Sequence, residues 1–413
     1  MKKYLSRHKK IDKLIKTSPS KGLFNIIVIP VLNEPEITKY LQSIIDCDIP
    51  EKNVEVILII NSSEVAEKKI VEQNRKTYKQ LLEFATTNNT EKLCFYPFIF
   101  ENLPKKQAGA GLARKYGMDE ALERFYESKI NGVITSLDAD TYVAKNYLIE
   151  IERVFSDKRV NGATIYYEHP IDGSEENEDV YRSIINYELY LRYYYQALKY
   201  IGVPYAYHTI GSAFVVRALT YAKQGGMKPN QAGEDFYFLQ KIIPVNNFVE
   251  INSTEVYPSS RISYRVIFGT GPAIGEISKS KNQEFFVYDL QSLIDLKQFL
   301  NNWQAFFNIN NIEYEELISG FSKSIKYFLD EIHFYQEINK ISENTSSIIT
   351  FKKAFFTKFD AFKLIRFLNF SHIGYYKKKE IGIVAKQLLL LLSYNTVNLN
   401  RKQLLKFYRQ IEK

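Results

Sequence analysis

Mainly apolar blocks alternate with polar blocks along the first third of the chain, and their spacing predicts a succession of strands and helices. Four of the apolar runs are nearly continuous: "FNIIVIPV" (24–31), "VEVILII" (54–60), "KLCFYPFIF" (92–100) and "GVITSL" (132–137). Continuous rather than alternating apolarity is typical of strands that are covered on both faces. The intervening segments place apolar residues at helical spacing. This alternation indicates an α/β domain with a largely parallel sheet.

The pattern changes near residue 280. Up to that point strands and helices continue to alternate, with a Tyr-rich helix predicted over 179–201. From about residue 283 Gly and Pro nearly vanish and apolar residues repeat at helical spacing, which predicts a helical region. The run "IGIVAKQLLLLL" (381–392) is too short to span a bilayer, and we interpret it as a buried helix. We therefore predict three parts: a basic N-terminal segment (1–22), an α/β domain (23–280) and a helical C-terminal region (281–413) that is basic toward its end.

Composition places the chain among folded proteins with more than one domain. It has 413 residues, of which 45% are hydrophobic and 25% charged. The two cysteines, Cys47 and Cys94, form no Cys-x-x-Cys pair, which argues against a zinc site and a disulfide framework. The N-terminus is basic but lacks the apolar run of a signal peptide. These features favour a reducing compartment, and we expect the protein in the cytoplasm.

Charge is distributed unevenly along the chain. The net charge is +8, with +7 in residues 1–22 and +11 in residues 351–413, so the centre is acidic. An acidic centre argues against a broad nucleic-acid surface, and we expect no nucleic-acid partner. The basic ends interleave with Phe and Tyr, as in "FKKAFFTKFDAFKLIRF" (351–367). One interpretation is contact with anionic lipid at the inner face of the membrane. The other is a set of solvated helix faces over ordinary buried aromatic residues.

Polar clusters follow three of the predicted strands, where the chain leaves the sheet. These clusters are "NEPE" (33–36), "NSS" (61–63) and "DAD" (138–140). The carboxyl ends of parallel strands meet at one edge, where sites form. If the third cluster is extended, Asp138 and Asp140 share a face and repel each other unless a cation or a proton lies between them. A surface turn after a strand is the alternative interpretation.

An ordered set of motifs resembles the family-2 glycosyltransferases of GT-A fold. The set consists of "IPVLNE", "NSS", "AGAGLARKYGMD", "LDADT", "IGSAFVVRALTYAKQGGM" and "GEDFYFLQK", over about residues 25–243. The resemblance implies a mixed, mostly parallel sheet flanked by helices, here followed by the helical C-terminal region. It also implies sugar transfer from a nucleotide diphosphate sugar, with a UDP-sugar favoured, to a glycan or glycolipid acceptor. Mg²⁺ or Mn²⁺ is the implied cofactor, and polysaccharide or glycolipid synthesis the implied setting.

The resemblance also implies where the donor and the metal bind. Asn61 stands where many members carry an aspartate that contacts the base, so the identity of the base stays open. Asp138 would contact the ribose and the metal, and Asp140 the metal most directly. Arg261 and Arg265 suit a diphosphate, with surface salt bridges as the alternative. The complete set of donor-site residues expected from the resemblance is Pro30, Asn33, Glu34, Asn61, Gly111, Arg114, Asp138, Arg261 and Arg265.

The catalytic pair implied by the resemblance is Glu234-Asp235, with Asp235 as the base. A sugar hydroxyl is a poor nucleophile, so a carboxylate must take its proton as it attacks. One aspartate opposite the leaving diphosphate suffices for a single displacement with inversion. His208, Gly211 and Ser212 are the residues expected on the acceptor side, although a lone His is more often structural.

Three other functions compete with inverting transfer. A retaining glycosyltransferase on the same fold would not use Asp235 as a base. A sugar-phosphate nucleotidyltransferase usually has a glycine-rich signature after its first strand, where this chain has "PVLNE". A non-catalytic nucleotide-sugar-binding or scaffold protein would bind the donor without turnover. The oligomeric state stays open.

Overall fold

The structure of the chain is a computed structural model, and contacts within it divide the chain into two compact units. The sheet unit comprises Met1–Ile184, Tyr207–Ser278 and Glu412–Lys413, and the helical unit comprises Ile185–Ala206 and Lys279–Ile411. The residues that the structure describes are 1–9, 11–229, 233–263, 269–280, 284–395 and 398–413.

Eight strands form a single sheet in the sheet unit. They are β1 Leu23–Val31, β2 Asn53–Ser63, β3 Leu93–Leu103, β4 Val133–Ser136, β5 Thr141–Val143, β6 Gly162–Tyr167, β7 Phe214–Arg217 and β8 Phe248–Pro258. Their spatial order is β3-β2-β1-β4-β7-β6-β8-β5. Strand β1 runs parallel to β2 and β4, as β3 does to β2 and β6 to β8. Strand β7 is antiparallel to β4 and β6, and β5 to β8. The predicted mixed, mostly parallel sheet is confirmed.

Nine helices begin in the described part of the sheet unit. They are α1 Lys2–His8, α2 Ile37–Ile45, α3 Lys68–Asn88, α4 Ala110–Glu127, α5 Tyr147–Ser156, α6 Glu178–Ile201, α7 Ala218–Lys223, α8 Glu234–Ile242 and α9 Thr270–Lys279. Helix α4 packs on β1 and β2, and α3 packs on β2 and β3. A Cβ on Gly117 would overlap the Val28 side chain, so a glycine is needed where α4 meets β1. This cover explains the continuous apolarity of the central strands.

The basic N-terminal segment is held against helix α4. The Tyr4 hydroxyl donates to Asp119 over 2.8 Å, and the Lys9 ammonium lies 3.1 Å from a Glu120 carboxylate oxygen. The other Glu120 oxygen accepts the backbone N–H of Ile15 over 3.0 Å. Carboxylates of α4 therefore pair with part of the positive charge that the sequence concentrates in residues 1–22.

The helical unit contains eight further α-helices in its described part. They are α10 Leu290–Asn301, α11 Asn311–Ser319, α12 Lys323–Glu331, α13 Phe334–Glu343, α14 Ile348–Lys358, α15 Ala361–Gly374, α16 Ile381–Leu391 and α17 Arg401–Glu412. A 3-10 helix covers Trp303–Phe306, and strands β9 Phe286–Val287 and β10 Lys379–Glu380 pair antiparallel. No helix among the described residues is long and apolar enough to cross a bilayer.

Aromatic side chains form the core of the helical unit. The Phe299 ring lies 5.1 to 5.9 Å from the rings of Phe306, Phe334, Phe355 and Phe359, and all five side chains are buried. Two of these rings belong to the segment 351–367, and its Phe351 and Phe367 are buried as well, whereas Phe362 is 37% exposed. The interpretation of that segment as helix faces over ordinary buried aromatic residues agrees with this packing.

The predicted buried helix over 381–392 is present as α16, but only one of its faces is buried. Ile381, Val384 and Leu388 are buried, and the Tyr408 hydroxyl of α17 donates to the Ala385 carbonyl over 2.9 Å. Leu390, in contrast, is 53% exposed. The helix packs through a single side, and composition alone did not show which apolar residues lie on the other.

Candidate active site

The loop after β1 is positioned by buried polar side chains of α3. Asn33 has a positive φ of 52°, and its backbone N–H donates to the Asn74 side-chain oxygen over 2.8 Å. The Thr77 hydroxyl donates to the Glu34 carbonyl over 2.9 Å. Sequence reasoning missed Asn74 and Thr77, although they share the buried face of α3 with Leu81. Their helical spacing with Leu81 places them on the buried face, where apolar residues are expected. Polar residues at such positions were the signal that the sequence offered.

Asn61 and Pro30 lie on adjacent strands near this loop. Pro30 is paired in register with Ile59 of β2. Asn61, near the end of β2, is buried and donates to the Gly109 carbonyl over 2.9 Å, just before α4. Asn61 therefore connects the end of β2 to the glycine-rich turn that contains Gly111. The structure brings these predicted donor residues to one edge of the sheet, and their donor contacts stay predictions.

The Asp-Ala-Asp sequence forms a turn rather than an extended strand. Asp138 follows β4, and the chain turns at Ala139 and Asp140 before β5. The condition for a shared strand face is therefore not met, and the alternative interpretation of a turn after the strand agrees with the structure. Each carboxylate has its own arginine: Asp138 pairs with Arg114, and an Asp140 oxygen lies 2.7 Å from an Arg261 nitrogen. Separate guanidinium groups thus offset the repulsion that the spacing indicated.

Arg114 lies buried at the centre of the candidate site. Its Nε donates to the Ser136 hydroxyl over 3.1 Å, and its two terminal nitrogens contact Asp138 and Glu234. Burial raises the pKa of Asp138, and Arg114 opposes that shift. The contacts that the structure shows for Arg114 are with protein groups, and its predicted role in donor binding stays a prediction. Sequence reasoning missed the link from Arg114 to Glu234.

Glu234 and Asp235 open helix α8, after Gly233 in a left-handed conformation with φ 68°. Asp235 accepts the backbone N–H of Phe236 over 2.7 Å. Burial raises the pKa of Asp235 to about 6, the neighbouring Glu234 adds to the shift, and Arg114 opposes it. A carboxylate with such a pKa is ionised at neutral pH and is more basic than an ordinary aspartate.

Gly211 leaves the space in which Arg114 and Asp235 approach each other. A Cβ at this position would lie 2.6 Å from an Arg114 terminal nitrogen and 2.9 Å from an Asp235 carboxylate oxygen. The Gly211 carbonyl accepts a hydrogen bond of 2.7 Å from Ser136. Gly211, predicted on the acceptor side, therefore lies directly against the acidic pair.

Arg261 lies at the end of β8 and faces two carboxylates. One terminal nitrogen is 2.5 and 2.6 Å from the Glu34 oxygens and 2.7 Å from an Asp140 oxygen. Its Nε is buried and has no hydrogen-bond partner within the described ranges. A buried donor of this kind is costly unless a water or a ligand accepts from it. Arg265 lies outside the described residues.

The remaining acceptor-side residues, His208 and Ser212, have different surroundings. His208 Nε2 lies 3.1 Å from a Glu412 oxygen, and its ring meets the Tyr167 ring edge-on at 5.0 Å. These contacts are structural, and an acceptor role for His208 stays a prediction. The Ser212 hydroxyl is buried and has no hydrogen-bond partner in the part of the chain that the structure describes.

The carboxylates of the site offer oxygen ligands only, the type that Mg²⁺ and Mn²⁺ prefer. Within the described residues, no group of three or more His, Cys, Asp or Glu side chains is arranged to hold a metal ion. Asp138 and Asp140 stay the predicted ligands of a cation, since Mg²⁺ can take one or two protein carboxylates and complete its shell with substrate oxygens. Cation binding there would compete with the contact between Asp140 and Arg261.

Residues 26–217 match the sequence profile of the family described as Glycosyl transferase family 2. This range contains the loop after β1, the Asp-Ala-Asp turn and Gly211, and it ends before Glu234, Asp235 and Arg261. No curated protein sequence matches the chain.

Solved structures resemble the chain at low sequence identity. TarS 1–349 of S. aureus in complex with UDP-GlcNAc is 12% identical, with a TM-score of 0.41, over 80% of this chain and 90% of that one. The same protein in complex with UDP is 13% identical, with a TM-score of 0.39 and the same coverage. GalNAc-T7 with UDP, GalNAc and Mn²⁺ is 15% identical, with a TM-score of 0.36, over 75% of this chain and 54% of that one.

Proposed function

We propose, from the match of residues 26–217 to the profile of glycosyl transferase family 2, that this chain is an inverting, metal-dependent glycosyltransferase of GT-A fold. It moves a sugar from a nucleotide diphosphate sugar to an acceptor hydroxyl. The acceptor is a glycan or a glycolipid, in polysaccharide or glycolipid synthesis. The protein works in the cytoplasm and makes peripheral contact with the inner face of the membrane.

One observation carries the inverting mechanism. The buried guanidinium of Arg114 contacts Asp138 of the Asp-Ala-Asp turn and Glu234, the neighbour of Asp235. It therefore joins the predicted donor side to the predicted base in one site. This arrangement supports a single displacement, which needs a base on the acceptor side of the reacting sugar and charge compensation on the diphosphate side.

Asp235 acts as the base in this proposal. The acceptor hydroxyl attacks the anomeric carbon, its proton moves to an Asp235 oxygen, and the bond from that carbon to the diphosphate oxygen breaks. The pKa of Asp235, raised to about 6, supports proton acceptance at neutral pH. Arg114 is a positioning residue, because it holds Glu234 beside Asp235 and has no assigned contact with the reacting atoms.

Asp140 and Asp138 would hold the divalent cation, Mg²⁺ or Mn²⁺. When bound, such a cation offsets the negative charge that develops on the leaving diphosphate. The orphaned Nε of Arg261 would donate to a diphosphate oxygen, which satisfies the buried donor. The Arg261 guanidinium would thus give up part of its contact with Glu34 and Asp140 and contact the donor diphosphate instead.

The nucleoside would bind at the edge formed by Pro30, Asn33, Glu34 and Asn61, with Gly111 beside the diphosphate. The buried amide of Asn61 donates one N–H to Gly109, which leaves its side-chain oxygen and its second N–H as groups that could contact a base. We propose a UDP-sugar as the first donor to test, and the alternative bases belong in the same experiment.

A thermal-shift panel tests the donor site. The full chain is heated with UDP-, GDP-, CMP- and dTDP-sugars, each in Mn²⁺, Mg²⁺ or EDTA. A ligand that binds only the folded state stabilises it by about 2.7 kcal/mol at one hundred times its Kd. We expect a shift with one nucleotide family that disappears in EDTA.

Two variants separate metal-linked donor binding from general effects of charge. Asp140→Ala should abolish the EDTA-sensitive part of the shift, whereas Asp46→Ala, an exposed aspartate at the end of α2, should leave it unchanged. A full shift in Asp140→Ala would remove the metal assignment. No shift with any donor would favour a scaffold protein with a decayed site.

The anomeric configuration of the product separates inverting from retaining transfer. Proton NMR of the first product formed from an α-linked donor should show a β-linked sugar. An α-linked product would establish the retaining alternative and remove the role of Asp235 as base. Donor binding without any turnover across an acceptor screen would instead support the non-catalytic alternative.

A further inference from the structure

Helix α16 of the helical unit presents an apolar face to solvent. Ile383 is 51% exposed, Leu390 53%, Leu391 44% and Tyr394, just beyond the helix, 40%. Leu390 and Leu391, seven and eight positions after Ile383, fall on the same side of the helix, and so does Lys386, three residues on. Tyr394 follows the end of the helix, after Ser393 with a positive φ of 68°. We call Ile383, Lys386, Leu390, Leu391 and Tyr394 the α16 face. Exposed apolar side chains grouped on one helix face are typical of interaction sites.

Lysines lie within this face and beside it. Residues 361–411 contain ten Lys and Arg and a single acidic residue, Glu380. Five of the ten pair with carboxylates: Lys363, Arg366, Lys379, Arg401 and Arg409. The face continues onto α17, because the Tyr394 ring lies 5.3 Å from the Phe407 ring. Lys406, next to Phe407, is exposed, and Lys386 lies within the apolar stripe itself. An apolar stripe flanked by lysines matches a surface that is apolar inside and anionic outside.

We propose that the α16 face docks on an anionic lipid bilayer. This inference rests on the peripheral membrane contact included in the proposed function and assigns that contact to named residues. Leu390 and Leu391 would enter the boundary between headgroups and acyl chains, while Lys386 and Lys406 contact lipid phosphates. The aliphatic part of Lys386 suits this position, since lysine buries its stem and extends its charge toward the polar layer.

The same observations argue against a second copy of the chain as the occupant. A twofold contact places each patch against itself, which would bring Lys386 and Lys406 of both copies together. Four apolar side chains also cover much less than the roughly 800 Å² per partner of a stable interface. An anionic bilayer meets neither objection.

Vesicle co-sedimentation with the full chain tests the proposal. The probes are vesicles of phosphatidylcholine alone and of phosphatidylcholine with 30 mol% phosphatidylglycerol. The wild-type protein should bind the anionic vesicles and release them at high salt, with little binding to neutral vesicles. The double variant Leu390→Glu/Leu391→Glu should lose at least tenfold in affinity. Lys386→Gln/Lys406→Gln should lose about 25-fold, since each lysine near an anionic surface contributes about fivefold.

Ile312→Glu is the matched control. Ile312 lies in α11 and is 80% exposed, so the same type of substitution should leave vesicle binding unchanged. Equal binding by wild type and Leu390→Glu/Leu391→Glu would overturn the proposal, as would failure of the wild type to bind anionic vesicles. A concentration-dependent dimer that this double variant abolishes, without vesicle binding, would assign the face to a second copy instead.

Donor binding provides an independent measurement on the same proteins. The Leu390→Glu/Leu391→Glu variant should retain the wild-type thermal shift with donor, which also shows that it folds. If the wild-type protein shows the thermal shift with donor but does not bind vesicles, the docking proposal is refuted and the proposed sugar transfer is unaffected. Vesicle binding without any donor shift would instead contradict the proposed sugar transfer.

Discussion

The raised pKa of Asp235 predicts how activity falls in acid. Burial and the neighbouring Glu234 raise this pKa from 3.8 to about 6. Since the proposed base must be ionised, the ratio kcat/KM should fall below pH 6. At pH 5 about one tenth of an acid with a pKa near 6 is ionised, against more than about nine tenths for an ordinary aspartate. The expected loss between pH 8 and pH 5 is therefore about tenfold.

Glu234→Gln removes one of the charges that raise the pKa of Asp235, and it leaves the proposed base in place. The substitution removes the negative charge that raises the pKa of Asp235, and it releases Arg114, which lowers that pKa. Both effects act in the same direction. The acid limb of the variant should therefore lie at lower pH than that of the wild type, whatever the height of its plateau.

Release of nucleoside diphosphate from the donor is the assay, with water as the acceptor. It needs no knowledge of the natural acceptor, and kcat/KM reports ionisations of the free protein. The control is the thermal shift with donor at each pH, which shows that the protein stays folded and binds. A flat profile from pH 8 to pH 5 would refute the assignment of Asp235. An acid limb that moves to higher pH in Glu234→Gln would refute the electrostatic argument.

Two further substitutions test the packing around the site. In Gly211→Ala the new Cβ would lie 2.6 Å from an Arg114 nitrogen and 2.9 Å from an Asp235 oxygen. We therefore expect turnover to fall about 100-fold. The control is Gly374→Ala, where the new Cβ meets open space, and it should leave turnover unchanged. Tyr4→Phe removes a hydrogen bond of 2.8 Å to the buried Asp119 and should lower the free energy of unfolding in urea by about 1–3 kcal/mol without changing donor affinity. Exposed Tyr126→Phe is its control, and equal stability of the two variants would contradict the structural role of Tyr4.

Apolar patterning predicted the elements that carry the site. The runs around β1 and β2 are continuous because α3 and α4 cover them, and this cover produces the same signal in any parallel sheet. The carboxyl ends of these strands then follow from topology, so Glu34, Asn61 and Asp138 could be placed at one edge before their contacts were known.

Side-chain partners were not predictable in the same way. Arg114 and Glu234 are 120 positions apart in the sequence, and only the fold shows that they are in contact. Asp138 and Asp140 look paired by spacing, but a turn gives each a separate arginine. Polar residues on a covered helix face, such as Asn74, carry a signal that a search for catalytic motifs does not examine.

The most direct test of the central claim is nucleoside diphosphate release by Asp235→Asn. In the wild-type chain the folded state binds more protons than the unfolded state between pH 3.8 and about 6, because burial raises this pKa. The ionised carboxylate therefore reduces stability above that window, and the variant should be at least as stable as the wild type at pH 8. We predict release about 100-fold or more below wild type, with the donor thermal shift retained. Wild-type release by a variant that binds donor normally would contradict the account.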